Sequence, residues 1–315
     1  MGNKVVDIPA KQIPPLKFQL ADQAGVKQIL ITAYGGLGDQ VCAEPAMRAA
    51  FKIFKGREIS LLASHPDIYS HLPFKNVYRH EEATKLIDDE WIVLHTYMPD
   101  FSLAADFIAH HFTQAVDYAT LCALQRQLPI TEREIKLTGD RSHGLKHKVV
   151  VHPGRHWPAN TFPKAWWDEV IERLVLTGCD VAIVGKHVTN GHGTVDVAIP
   201  KGCTDLRNQL SVKGLVGLLQ DAQVVLTNDS GPLHVAASGN AEILFMAGSK
   251  GPDYLTHWRG GQFGQGMKNL NPNGLWSTLD TDPIRPEALD MSQPYEHKGL
   301  PSPASVVYEV RKALI

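Results

Sequence analysis

Apolar positions fall into two rhythms that alternate along the chain. Residues 27–33 (KQILITA) are almost continuously apolar, as expected of a strand buried on both faces in a parallel sheet. A glycine-rich turn follows at 34–39 (YGGLGD). Residues 40–55 then set Val41, Ala46, Ala49, Ala50 and Phe54 toward one side of a predicted helix. Ile59–Leu62 and Trp91–His95 read as further strands. Residues 103–128 read as a helix, with Phe107, Val116, Leu121, Leu124 and Leu128 at three- and four-residue steps. The pattern breaks at 138–147 (TGDRSHGLKH), a short polar stretch with two glycines that suits a linker. It then restarts: strand Val149–His152, helix Pro163–Thr177, strand Val181–Val184, helix Val212–Gln220, strand Val224–Thr227, helix Pro232–Ser238, strand Ile243–Met246 and helix Ala304–Leu314. Alternation of this kind predicts doubly wound α/β structure. The expected organisation is an arm at 1–26, α/β domains at 27–140 and 148–300, and a C-terminal helix at 301–315. Ligands of such sheets bind at the carboxyl edge of the strands, so a site is expected in the cleft that two such domains leave.

Composition agrees with this picture and narrows it. A chain of 315 residues with 43% hydrophobic and 20% charged residues has enough apolar content for two cores. The net charge of −2 carries no overall signature of nucleic-acid binding. Cys42, Cys122, Cys179 and Cys203 show neither zinc-ligand nor redox spacing and read as reduced thiols. No apolar run reaches the ~18 residues that a membrane span needs, so stable membrane insertion is not expected. The expected setting is cytoplasmic, with room for peripheral contact at the inner membrane.

Three stretches carry candidate chemistry. In Tyr34–Asp39, glycines after a strand let backbone approach a ligand, and the turn ends in a carboxylate. Its spacing is neither the dinucleotide fingerprint nor a Walker A motif. Asp39 is therefore either a helix cap, a general base, or both. The stretch 151–163 (VHPGRHWPANTFP) runs from a strand through Arg155 and His156 toward a helix N-terminus, a sensible place to clamp a diphosphate. Trp157 and Phe162 either pack against a base or anchor the loop. In 228–234 (NDSGPLH) a buried strand runs into a turn where Asp229 or Ser230 can cap, Gly231 clears room, and His234 lies one helical turn on.

Together these stretches resemble glycosyltransferase family 9, which contains the bacterial ADP-heptose:lipopolysaccharide heptosyltransferases. NDSGPLH is the strongest match. HPG…W…FP followed by VAIVG is the second, and GGLGD with Pro45 and Arg48 the third. The resemblance covers roughly residues 27–60 and 148–260. It implies two facing Rossmann-like domains in the GT-B arrangement and an inverting, metal-independent transferase. A nucleotide-diphosphate sugar would be the co-substrate, with no other cofactor. By position Asp39 looks like the general base. Gly36, Gly38, Arg155, Asn160, Thr161, Gly185, Lys186, Asp229, Ser230, Gly231, Pro232 and His234 look like the donor-binding set. Heptosyltransferases often place a Lys before the aromatic-Pro pair, where this chain has Asn160, so a cationic contact falls to Arg155. They also often carry an acidic residue in the loop after the VAIVG-type strand, where this chain reads KHVTNGHGTVD and has none before Asp196. The acceptors that the family implies are a lipopolysaccharide core sugar or, as in phage-encoded relatives, hydroxymethylated bases of modified DNA. A non-catalytic nucleotide-sugar binding protein is the alternative of another class.

Overall fold

The computed structural model describes residues 28–33, 36–82, 92–95, 134–155, 160–187, 193–248, 258–259, 262–263, 266–271 and 299–315. The expected arm at 1–26 and helix at 103–128 lie outside these residues, as do Tyr34, Gly35, Cys122, His156 and Trp157. The chain divides after Leu137 into two compact units.

The first unit begins with β1 (Gln28–Ala33), whose residues from Ile29 to Ala33 are all buried. α1 (Leu37–Cys42) and α2 (Glu44–Ile53) follow, then β2 (Glu58–Ala63), a 3₁₀ turn over Pro66–Tyr69, the edge strand β3 (Val77–Arg79) and β4 (Ile92–His95). All pairings are parallel, in the order β3-β2-β1-β4. The single helix expected over 40–55 is two helices that meet at Ala43. Pro45 has no N–H to continue the ladder and instead starts the second helix. The five residues expected on the inward side of that helix are all buried.

The second unit holds β5 (Val149–His152), β6 (Gly154–Arg155), α3 (Lys164–Leu176), β7 (Val181–Ile183), β8 (Gly193–Thr194), β9 (Cys203–Asp205), α4 (Val212–Asp221), β10 (Val224–Asn228), α5 (Gly231–Ala236), β11 (Glu242–Met246), the small pair β12 (Trp258–Arg259) and β13 (Gln262–Phe263), β14 (Met267–Asn269) and α6 (Pro303–Ala313). Its main sheet is parallel throughout, ordered β14-β11-β10-β5-β7-β9. Counted from β5, that is the doubly wound order 3-2-1-4-5-6.

The near-continuous apolar runs are explained by burial on both faces. Val149, Val151, Val181, Ile183, Val224 and Leu226 pack with Trp167, Val170 and Ile171 of α3 and Val306 and Val310 of α6. The alternate positions Val150, Ala182, Val225, Ile243 and Phe245 point to the opposite face and are equally buried. Each such side chain contributes roughly 1.5–3 kcal/mol on burial. Pro163 sits at the N-cap of α3, one position before the first turn expected for it.

Two connections bear on the site. Residues 138–143 run along α4: Asp140 N–H donates to Lys213 O (2.9 Å), Arg141 Nε to both oxygens of Asp221 (2.8 Å each), and a Cβ on Gly139 would strike the backbone of Gly217. The crossover from β7 to β9 usually carries a helix. Here its described parts, 184–187 and 193–202, hold no helix; the second buries Val195 and Val197 in the α3 cluster and is tied to α3 by Ala198 N–H donating to Asp168 Oδ1 (2.7 Å).

Candidate functional site

Strand order locates the candidate site in the second unit. The order reverses between β5 and β10, and ligands of open α/β sheets bind at the carboxyl ends of the strands flanking such a switch point. β5 delivers His152, Pro153 and Gly154 there, and β10 delivers Asn228, Asp229 and Ser230. Two of the three stretches singled out in the sequence therefore meet, although about 75 residues of chain separate them.

Buried amide hydrogen bonds join the two loops. Gly154 N–H donates to Asn228 Oδ1 (3.2 Å), and Asn228 Nδ2 donates to Gly154 O (2.9 Å) and to Asn160 O. Asn160 Nδ2 donates to Asp229 Oδ2 (2.9 Å), with both side chains buried. A neutral amide here faces a carboxylate. A second knot lies beside it. His152 Nδ1 is 3.1 Å from Ser230 Oγ and 3.4 Å from Thr227 Oγ1, and the two hydroxyls are 3.2 Å apart. Burial holds the His152 imidazole at a pKa of about 4, so it is neutral at physiological pH.

Close approach requires glycine at two positions. A Cβ on Gly154 would overlap Asn228 Oδ1 and lie 2.9 Å from His152 Cε1. Gly185 has φ +131°, and a Cβ there would overlap Thr194 Oγ1 and lie 3.2 Å from His152 Cδ2. Thr194 is buried, and its hydroxyl has no hydrogen-bond partner among the described residues.

The structure places the other expected residues of this unit around these knots. Ser230 occupies the N-cap of α5 but makes no capping hydrogen bond, because its hydroxyl turns to His152 and to Asn228 O (3.2 Å). Gly231 and Pro232 form the first turn of α5, and His234 is buried on its last. Thr161 is half-buried. Lys186 is exposed, and its carbonyl accepts from Thr194 N–H at 2.8 Å. Arg155 pairs through its backbone with Gly193, while its side chain lies outside the described residues. Phe162 is buried, with its ring centroid 6.2 Å from that of Trp166 and tilted 41° to it, so it anchors the loop. Sequence reasoning passed over His152, Thr194, Thr227 and Asn228. His152 and Asn228 stand inside the motifs, but their partners are remote.

In the first unit the glycine-rich turn follows β1, at the matching reversal between β1 and β4. Gly36 is the N-cap of α1, and its N–H donates to Asp39 Oδ2 at 2.7 Å, so Asp39 is a cap held by the turn. Gly36 has φ −70°, which any residue adopts, so its missing side chain keeps the turn open rather than satisfying the backbone. Gly38 lies within α1 and is half-buried. Among the described residues no group of three or more His, Cys, Asp or Glu is placed to hold a metal ion. No described helix is long and apolar enough to cross a membrane.

Fold and loops together define a doubly wound α/β protein of two units, with glycine-containing polar turns at the carboxyl edges of both sheets. The chain belongs to glycosyltransferase family 9 (heptosyltransferase), whose family model matches residues 95–258. Among curated proteins it is similar to lipooligosaccharide heptosyltransferase 2 of Haemophilus influenzae, with 29% identity over 129 residues. That match covers 39% of this chain and 36% of the relative, so it spans little more than a third of that protein. Two solved structures share the fold. E. coli ADP-heptose LPS heptosyltransferase II has a TM-score of 0.57 at 16% identity, over 91% of this chain and 98% of that one. The iron-containing dodecameric glycosyltransferase TibC of enterotoxigenic E. coli has a TM-score of 0.64 at 16% identity, over 92% and 77%.

Proposed function

We propose that the protein transfers a sugar from a nucleotide-diphosphate donor, of the ADP-heptose kind named for its relatives, to an acceptor hydroxyl of a lipopolysaccharide-type core. The observation that carries this reading is the polar turn Asn228–Ser230 at the switch point of the second sheet. There a helix start, hydroxyls and buried amides meet on the side where such sheets take ligands. In this reading the second unit holds the donor, through Gly154, Arg155, Asn160, Gly185 and the 229–232 turn.

The first unit supplies the base. Asp39, oriented by the Gly36 N–H, takes the proton of the acceptor hydroxyl. The acceptor oxygen bonds to the anomeric carbon from the face opposite the nucleotide. The bond from that carbon to the diphosphate oxygen breaks, and its electron pair leaves with the nucleoside diphosphate. The sugar configuration inverts. Fixed N–H dipoles and Arg155 stabilise the departing charge, and no divalent ion takes part.

The test is turnover of ADP-heptose with a lipopolysaccharide core acceptor, with and without EDTA. Transfer that persists in EDTA with inverted stereochemistry is expected. EDTA loss restored by Mg²⁺, Mn²⁺ or iron would remove the metal-free step, and absence of binding to any nucleotide sugar would remove the reading. Transfer only to hydroxymethylated DNA would move the acceptor assignment.

A further inference from the structure

Three polar side chains from separate segments meet at the switch point: His152 at the end of β5, Thr227 in β10 and Ser230 at the N-cap of α5. Their protons can be placed by counting acceptors. Thr227 Oγ1 can donate to His152 O or Asn228 O, each at 3.3 Å, and Ser230 Oγ can donate to Asn228 O at 3.2 Å. Both hydroxyl protons thus have carbonyls to go to, and both oxygens remain as acceptors beside His152 Nδ1. In that arrangement Nδ1 is the protonated nitrogen of a neutral imidazole and Nε2 carries the lone pair, the tautomer on which the inference below stands. Thr227 and His152 are buried, while Ser230 is half-buried, so Ser230 is the most accessible of the three. The ring is also closely seated: a Cβ on Gly154 would lie 2.9 Å from it and one on Gly185, from a different loop, 3.2 Å. A ring needed only for volume would sit there without desolvating a polar group.

We infer that His152 is a positioning residue whose Nδ1–H holds the Ser230 oxygen so that the Ser230 proton is offered to an anionic oxygen of a bound nucleoside diphosphate. The inference rests on the nucleotide-sugar reading above. On binding, the Ser230 hydroxyl swings from Asn228 O to the ligand while still accepting from His152, and no proton changes owner. Removing the imidazole frees the hydroxyl to rotate and leaves the ligand contact unsupported.

The test is calorimetric titration of ADP into the full chain and three variants. His152→Phe keeps the ring and removes both nitrogens; His152→Asn restores a donor near Nδ1; Ser230→Ala removes the relayed group. His152→Phe and Ser230→Ala should each weaken ADP binding roughly ten- to a hundredfold, as for loss of a hydrogen bond to a charged group. His152→Asn should recover most of the affinity, and the double variant should be no weaker than either single one. Wild-type affinity in a folded His152→Phe, or fully additive losses, overturns the inference. If His152→Phe does not fold, ¹⁵N spectra of the native protein decide. A neutral Nδ1-protonated ring whose Nδ1 resonance moves on adding ADP supports the assignment, and an Nε2-protonated ring overturns it. Wild-type protein that binds neither ADP nor ADP-heptose sinks the nucleotide-sugar reading and this inference with it. Normal wild-type binding with unaffected variants sinks this inference alone.

Discussion

The two units each bury a polar network near the turn after their first strand, one built on an ion pair and the other on neutral groups. In the first unit Glu44, fully buried, accepts from Arg48 Nε (2.7 Å) and Lys136 N–H (3.0 Å), and its Oε1 lies 3.2 Å from His71 Nε2. Tyr69, whose phenol burial and the nearby Glu44 charge push well above its ordinary pKa, donates to Gln40 O at 2.6 Å. This network joins α1 and α2 to the segment at 134–136 and reaches the surface at His71, whose side chain is 26% exposed. In the second unit the chain runs from Thr227 through His152 to the half-buried Ser230. Burial of polar groups therefore does not mark a site by itself. The first network ties separate segments around a buried charge, and the second lies at the carboxyl edge of its sheet, where such folds take ligands.

The largest expected effect comes from breaking the ion-paired network. Glu44→Ala leaves the Arg48 guanidinium without its buried carboxylate and should cost about 3–5 kcal/mol of stability, with Glu44→Gln milder. Urea unfolding measures this, and a loss under about 1 kcal/mol would mean that the network is ornamental.

A pH titration of stability probes the neutral one. His152 has a folded pKa of about 4 against about 6.5 when unfolded. Between those values the unfolded chain binds the extra proton, so stability falls as pH drops below about 6.5, by on the order of 3 kcal/mol near pH 4. His152→Phe should lack that portion of the acid sensitivity, and an unchanged profile would show that His152 is not the buried neutral ring described.

A smaller loss, about 1–3 kcal/mol in urea unfolding, is expected for Asn160→Ala, which takes the amide from the buried Asp229 carboxylate. No measurable change would mean that this carboxylate finds other partners.

The sequence made some of this legible and hid the rest for physical reasons. β5 and β10 could be read because strands buried on both faces need unbroken apolar runs, and glycine and proline punctuate the loops at their carboxyl ends. The edge strands β3, β9 and β14 could not. They are only partly buried, and pairing with a neighbour rather than apolar pattern makes them strands. The split at Ala43 was foreshadowed by Pro45. The motif loops announced Asp39, Asn160, Asp229 and Ser230, but His152 acquires its meaning from Thr227 and Ser230, 75 and 78 positions away. Glu44 acquires its own from Lys136, 92 positions away. Periodicity reports local structure, and contacts of that length are set by packing alone.

The central claim is a division of labour: the second unit binds the donor, and Asp39 of the first acts on the acceptor. Calorimetric titration of ADP-heptose into Asp39→Asn and Gly154→Ala tests it most directly. The second substitution drives a methyl group into Asn228 and His152. Asp39→Asn should bind the donor within a few-fold of wild type while its turnover falls at least about 10²-fold. Gly154→Ala should lose roughly tenfold or more in donor affinity, as expected when a site hydrogen bond is displaced. Equal loss of affinity in both variants, or loss only in Asp39→Asn, would contradict the account.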